Sequence, residues 1–367
     1  MMAAPFTLVV LGLSLSSSWG NGHATTWRAL LRGLREEGHR ILFLERDVPW
    51  YAEHRDLPDP DFCTLEFYSG IEDLRRYLPA IRNADAVIVG SFVPEGVKII
   101  DLMASAAPDV LCFYDIDTPV TLARLDRGEE DYLAKRQIPL FDVYFSFSGG
   151  RVLDLLEDRY GARRAEALHC SVDPAQHFNT GEAIEWDLGY LGTYSPDRQP
   201  ALERLLIEPA RRLPHLRFVV AGAQFPEDID WPSNIERFEH LPPAEHASFY
   251  TRQRFTLNIT RRDMVELGWS PSVRLFEAAA CGTAIISDRW RGLDELMPER
   301  EAIIIGDTAE DVVRHLTALS ETERQAMADA ARKRVLTAHT GRARAREMIR
   351  AIERSNAALP SMAVRQF

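Results

Sequence analysis

The sequence predicts an α/β protein made of two successive doubly wound parallel sheets. Three observations carry this. Short apolar runs alternate with amphipathic stretches along nearly the whole chain, the pattern of βαβ units. The alternation lapses between Ala175 and Trp186 and then starts afresh. Polar, glycine-bearing turns follow the apolar runs, at the expected carboxyl ends of strands, where open α/β sheets bind ligands.

Size and composition agree. A chain of 367 residues suggests two ordinary domains, and 46% apolar with 27% charged residues suits a globular protein with a large core. The expected division is 1–174 for an N-terminal domain, 175–186 for a linker and 187–340 for a C-terminal domain. Residues 341–367 are expected to form a helix packing back toward the N-terminal domain. The formal net charge is −12, without a long basic block. That argues against nucleic acid as a partner, because such binding rests on neutralised phosphates. Cys63, Cys112, Cys170 and Cys281 are too far apart for a zinc pattern or a small disulfide framework. Phe6 to Leu15 is apolar but lacks a basic flank and a small-residue cleavage site, so a buried first strand explains it better than a leader. No run approaches the ~18 apolar residues of a membrane span, and a cytoplasmic location is expected.

In the first domain, Phe6 to Leu13 reads as a strand. A loop ending Ser18-Trp19-Gly20-Asn21-Gly22-His23 follows, then a helix from Ala24 to Glu37 and a strand from Arg40 to Glu45. Gly20 and Gly22 fit a dinucleotide fingerprint, but Thr25 stands where its third glycine belongs, which weakens a dehydrogenase reading. His23 stands where a helix begins, beside the end of the first strand. It either meets a ligand or caps the helix. A helix is expected through Ile71 to Ile81, and strands at Ala86 to Gly90, Val110 to Tyr114 and Val143 to Phe147. After the second of these comes Asp115-Ile116-Asp117-Thr118-Pro119. Two carboxylates at a strand's carboxyl end suit acid–base work or binding. The plainer alternative is that Asp117 or Thr118 caps the next helix, with Pro119 as its first residue.

In the second domain, strands are expected at Asp187 to Leu191, Arg217 to Ala221, Ile235 to Phe238 and Phe255 to Ile259. A helix is expected from Pro200 to Arg212. The most informative stretch is Ser270 to Asp288. Ser270 reads as an N-cap, Pro271 as the first helical residue, Gly282 as the stop and Ala284 to Ile286 as a buried strand. Amides of Ser272 and Val273 at the helix start suit a phosphate. Arg274 adds charge there, and Glu277 suits the diol of a ribose. The plainer alternative is a solvated Arg274–Glu277 ion pair.

Trp19 to His23, Glu45-Arg46-Asp47-Val48-Pro49 and the run from Ser270 to Gly282 resemble the CgeB-like (spore maturation) glycosyltransferases. These have the GT-B fold of two Rossmann-like domains facing a cleft, and their C-terminal half belongs with the glycosyl transferases group 1 domains. The resemblance covers nearly the whole chain, and Pro271 to Gly282 is its most specific part. It implies that Glu277 holds the donor ribose, and that Ser272 and Val273 lie near the diphosphate. Gly192 and Arg198 would face the donor phosphates, and His240 would border the nucleobase. Gly20, Asn21, Gly22 and His23 would lie beside donor sugar and acceptor. Many retaining relatives carry a second glutamate eight positions before the ribose glutamate; here that position is Trp269.

The expected activity is transfer of a sugar from a nucleotide-diphosphate sugar to a small-molecule, glycan or protein acceptor. His23 or Asp117 would act on the acceptor hydroxyl. No cofactor and no metal are expected, since nothing in the second domain reads as a ligand set for a diphosphate-bridging cation. A nucleotide-sugar epimerase on the same fold and a non-catalytic binding or assembly module are the alternatives.

Overall fold

The structure is a computed structural model, and it describes residues 5–20 and 22–358. Asn21 lies outside the described residues. The chain divides into two compact units, 1–169 with 341–367, and 170–340.

In the first unit the strands are β1 (Thr7–Gly12), β2 (Arg40–Arg46), β3 (Thr64–Tyr68), β4 (Ala86–Gly90), β5 (Leu111–Asp115), β6 (Val143–Ser146) and β7 (Ala165–Ala167). Their order is β3-β2-β1-β4-β5-β6-β7, with every neighbouring pair parallel. Leu8 pairs with Ile41 on one side and Ala86 on the other. Chain order reverses between β1 and β4, so a crevice opens beyond their carboxyl ends. β4 and β5 are buried throughout, which explains why they read as continuous apolar runs rather than alternating ones.

The second unit holds β8 (Trp186–Leu191), β9 (Phe218–Ala221), β10 (Ile235–Phe238), β11 (Gln253–Asn258), β12 (Ala284–Ser287) and β13 (Ile304–Ile305). The order is β10-β9-β8-β11-β12-β13, again parallel, and the reversal lies between β8 and β11. Leu188, Phe218, Val220, Phe255 and Ile286 form the larger core; Trp186, Val219, Ala221 and Phe249 form a smaller one.

Proline breaks two of the expected helices. Residues 71–82 form Ile71–Leu74, a 3-10 turn Arg75–Tyr77, and Leu78–Arg82. A single helix would need an N–H from Pro79 to the carbonyl of Arg75, which proline lacks. Likewise Pro209 sits just after a π turn, Glu203–Ile207, between Gln199–Leu202 and Glu208–Arg212.

The stretch 175–186, expected as a linker, is mostly exposed and is tied to the rest of the second unit at His177 and Thr180. Val172 bridges Thr340, Thr180 N–H donates to Thr251 Oγ1 at 3.2 Å, and His177 is 6% exposed. At the other boundary, the helix Gly341–Ala358 lies on the first unit's helix His23–Glu36. Two glycines set that approach. A Cβ on Gly33 would sit 2.3 Å from the Gly341 carbonyl carbon, and one on Gly341 would sit 1.9 Å from the Ala29 oxygen. Among the described residues no helix is long and apolar enough to cross a membrane.

Candidate active and donor sites

The loop after β1 is organised by Glu45 at the end of β2. Its carboxylate, 1% exposed, accepts from the N–H groups of Leu15 (2.7 Å) and Ser16 (2.9 Å) and from the Ser16 hydroxyl (2.7 Å). Farther along, Ser18 and Arg28 both hold Asp56, the arginine through two bonds of 2.8 and 2.7 Å. The loop is therefore fixed on both sides before it reaches Gly20, whose φ of +67° suits a residue without a Cβ. Gly22 is the N-cap of His23–Glu36.

His23, first in that helix, is 8% exposed, and its Nε2 lies 2.6 Å from Asp117 Oδ2. Asp117 does stand at the N-cap of Thr118–Asp126, but its side chain makes no capping bond. The carboxylate reaches across the switch point to the imidazole, and among the described residues the buried Nδ1 of His23 has no hydrogen-bond partner. With Asp117 accepting from Nε2–H, the imidazole lone pair falls on Nδ1.

The pair sits in a braced setting. Ile116 N–H donates to Ser91 Oγ at 3.1 Å, and Thr118 Oγ1 lies 2.8 Å from Ser146 Oγ. Phe92, after β4, meets the His23 ring edge-on at 5.7 Å. Its φ is +60°, an expensive conformation for a bulky residue, found where the surroundings over-determine it. Asp115 is wholly buried and accepts from Tyr144 Oη (2.6 Å) and Thr121 Oγ1 (2.7 Å). Burial pushes its carboxyl up to about 6; the two hydroxyls oppose the shift and the charge of Asp117 adds to it. Asp115 is thus a supporting group under the His23–Asp117 pair.

In the second unit the informative helix is Val273–Ala280, two residues shorter than expected at its start. Ser272, not Ser270, is the N-cap. Ser270 Oγ instead donates to the Gly268 carbonyl at 2.7 Å. The Ser272 hydroxyl donates to Asn258 Oδ1 at 2.8 Å, and Arg274 Nη1 reaches the same oxygen at 3.1 Å. Arg274 Nε donates to the Leu191 carbonyl at 2.7 Å, and its guanidinium lies over Tyr190. The plainer alternative, a solvated Arg274–Glu277 ion pair, is not formed among the described residues: the arginine is 8% exposed and spans the β8 and β11 ends. Gly192 lies against it, since a Cβ there would stand 2.9 Å from Arg274 Nη2 and 2.7 Å from Tyr190 Oη.

Arg198 donates from Nη2 to the Thr193 carbonyl at 2.7 Å, while its buried Nε has no partner among the described residues. Burial, then repulsion from Arg274 and Arg261, holds its guanidinium below the usual arginine range, with Tyr190 and Asp197 opposing. Three guanidiniums whose charges work against one another at a switch point, beside a helix start, make a place for an anion. His240 is exposed in the loop after β10, apart from these bonds.

Glu277 faces inward. It is 4% exposed, and Oε2 accepts from Tyr250 Oη at 3.0 Å. Oε1 lies 3.6 Å from His177 Nε2. His246 completes the group, and ligating atoms of all three lie within 4.8 Å of one another. Burial lowers the affinity of His246 for a proton, with Glu277 opposing. This cluster is drawn from three separated segments. Spacing rules have no means to register it. Asn258, Arg261 and Glu45 were likewise missed as site-builders, although each stands at or just beyond a strand's carboxyl end.

Residues 198–350 match a family described as "Glycosyl transferase-like". No curated protein matches the chain in sequence. Among solved structures, sucrose-phosphate synthase from Thermosynechococcus elongatus is similar at 13% identity with a TM-score of 0.67, covering 96% of this chain and 100% of that one. An alpha-glucosyltransferase in complex with UDP-glucose and DNA containing an abasic site is similar at 12% and 0.71, covering 95% and 100%. The Anabaena protein HepE in complex with UDP and glucose is similar at 10% and 0.67, covering 95% and 100%. At such identities the likeness establishes the fold, which is GT-B: two Rossmann-like α/β domains, as expected.

Proposed function

We propose that the protein is a glycosyltransferase that uses a nucleotide-diphosphate sugar and activates its acceptor hydroxyl with the His23–Asp117 pair. The observation that carries this is the 2.6 Å bond from His23 Nε2 to Asp117, made beside the β1/β4 switch point by the first residue of one helix and the N-cap residue of another. His23 Nδ1 takes the proton of the acceptor hydroxyl, and Asp117 balances the imidazolium that forms. The acceptor oxygen bonds to the anomeric carbon of the donor. The bond from that carbon to the diphosphate breaks, and its electron pair leaves on the phosphate oxygen. Arg198, Arg274 and the helix start at Ser272 and Val273 take up that charge. Glu277 meets the ribose through Oε2, the oxygen that also accepts from Tyr250 Oη.

Uridine diphosphate sugars come first as donors, because two of the similar structures hold UDP or UDP-glucose. The narrower likeness to CgeB-like enzymes rests on the run from Pro271 to Gly282 and is part of the same proposal. A thermal-shift series with UDP, dTDP, GDP and CMP sugars tests the reading, since a ligand of the folded state raises its melting temperature. One nucleotide family should stabilise the protein, and Arg198→Gln should abolish that shift. A flat response to all four would refute a donor site.

A further inference from the structure

We infer that His177, His246 and Glu277 form a three-ligand site for a zinc-class divalent metal ion, within the second unit and separate from the diphosphate cations. The three come from different segments. His177 lies in the stretch after Val172, His246 opens the helix His246–Thr251, and Glu277 lies in Val273–Ala280. One ligating atom from each falls within 4.8 Å of the other two.

The decisive residue is His177. Its side chain is 7% exposed, yet among the described residues neither ring nitrogen has a hydrogen-bond partner. Buried polar groups are almost always paired, so such an imidazole, turned toward a carboxylate 3.6 Å away, calls for an occupant between them. The other two groups are already braced as ligands are. Tyr250 Oη holds Glu277 Oε2, leaving Oε1 toward the cluster. His246 Nε2 lies 3.3 Å from the Leu241 carbonyl, so that nitrogen carries the proton and Nδ1 keeps its lone pair. Two imidazoles and one carboxylate suit zinc, cobalt or nickel. Magnesium and calcium prefer an all-oxygen shell. The metal would tie three segments of one unit together, and a bridging water is the rival occupant.

The test uses the full chain, loaded with zinc chloride, passed through gel filtration and assayed for metal by mass spectrometry. About one zinc per chain is expected. His177→Gln and His246→Gln should each weaken retention by at least ~10-fold. Zinc, but not magnesium, should raise the melting temperature of the parent and not of the variants. Cobalt substitution should give the intense visible bands of a four-coordinate site. No retained zinc in the parent, or equal retention in both folded variants, would overturn the inference. Both variants leave Glu277, Arg198 and the His23 pair in place. Nucleotide-sugar binding can therefore be scored separately, and loss of one reading does not entail loss of the other.

Discussion

Replacing Asp117 by asparagine tests the proposed chemistry most directly. The carboxylate bonds His23 Nε2 at 2.6 Å, with the two side chains 22% and 10% exposed. A hydrogen bond to a charged group in such a place contributes about 1.5–3 kcal/mol. Asparagine keeps the shape but cannot balance an imidazolium, so that energy is lost in the transition state and not when the donor binds. At about 1.4 kcal/mol per decade, kcat should fall roughly 10- to 150-fold. His23→Gln removes the base itself and should cost ~10²–10⁴-fold. Since Asp117 acts only through His23, the double variant should be about as slow as His23→Gln alone. The assay is release of nucleoside diphosphate from the donor that gives the largest thermal shift, in the presence of acceptor. Donor KM should barely move. Independent, multiplicative effects of the two substitutions would refute the coupling. So would single variants that turn over like the parent, or that lose activity only in step with lost folding.

Three other outcomes are expected. Arg198→Gln should weaken nucleoside diphosphate binding by roughly 1.5–3 kcal/mol, read by calorimetry; unchanged affinity would remove Arg198 from the phosphate site. Asp115 has a carboxyl raised to about 6, so its contribution to stability is full below the unfolded value near 4 and is lost as pH rises through 6. The melting temperature of the parent relative to Asp115→Asn should therefore drop between pH 4 and 7, by the equivalent of about 3 kcal/mol; a constant difference would show an ordinary carboxyl. Turnover without added magnesium or manganese should equal turnover with them, because arginines and a helix start take the leaving charge; a strict requirement for either ion would reopen the donor site.

The sequence was most informative where one residue type serves one geometric need. Buried parallel strands need unbroken apolar runs, and β4 and β5 show them. Ligand positions of an open sheet need polar residues just past those runs, which is why His23 and Asp117 stood out. That they touch was beyond reach, since the contact spans the switch point and depends on the strand order. Arg274 and Glu277 show the opposite limit. Helical spacing brings them to one side, yet arginine is long enough to leave for Leu191 and Asn258, while glutamate turns in toward Tyr250. Proline positions were visible in the sequence, but the apolar period around Pro79 and Pro209 is so regular that it masked the breaks.

The glycine contact between Gly33 and Gly341 bears on how the chain is made. The first unit is not finished when its last strand leaves the ribosome. Its closing helix is encoded after the whole of the second unit, a delay on the order of ten seconds at ~5–20 residues per second. Throughout that interval the groove beside Ala29 and Gly33 has no cover, and only a helix beginning with a bare backbone fits it. A nascent chain stalled before Gly341 should bind holdase chaperones through that groove, and a peptide spanning 341–358 supplied in trans should displace them.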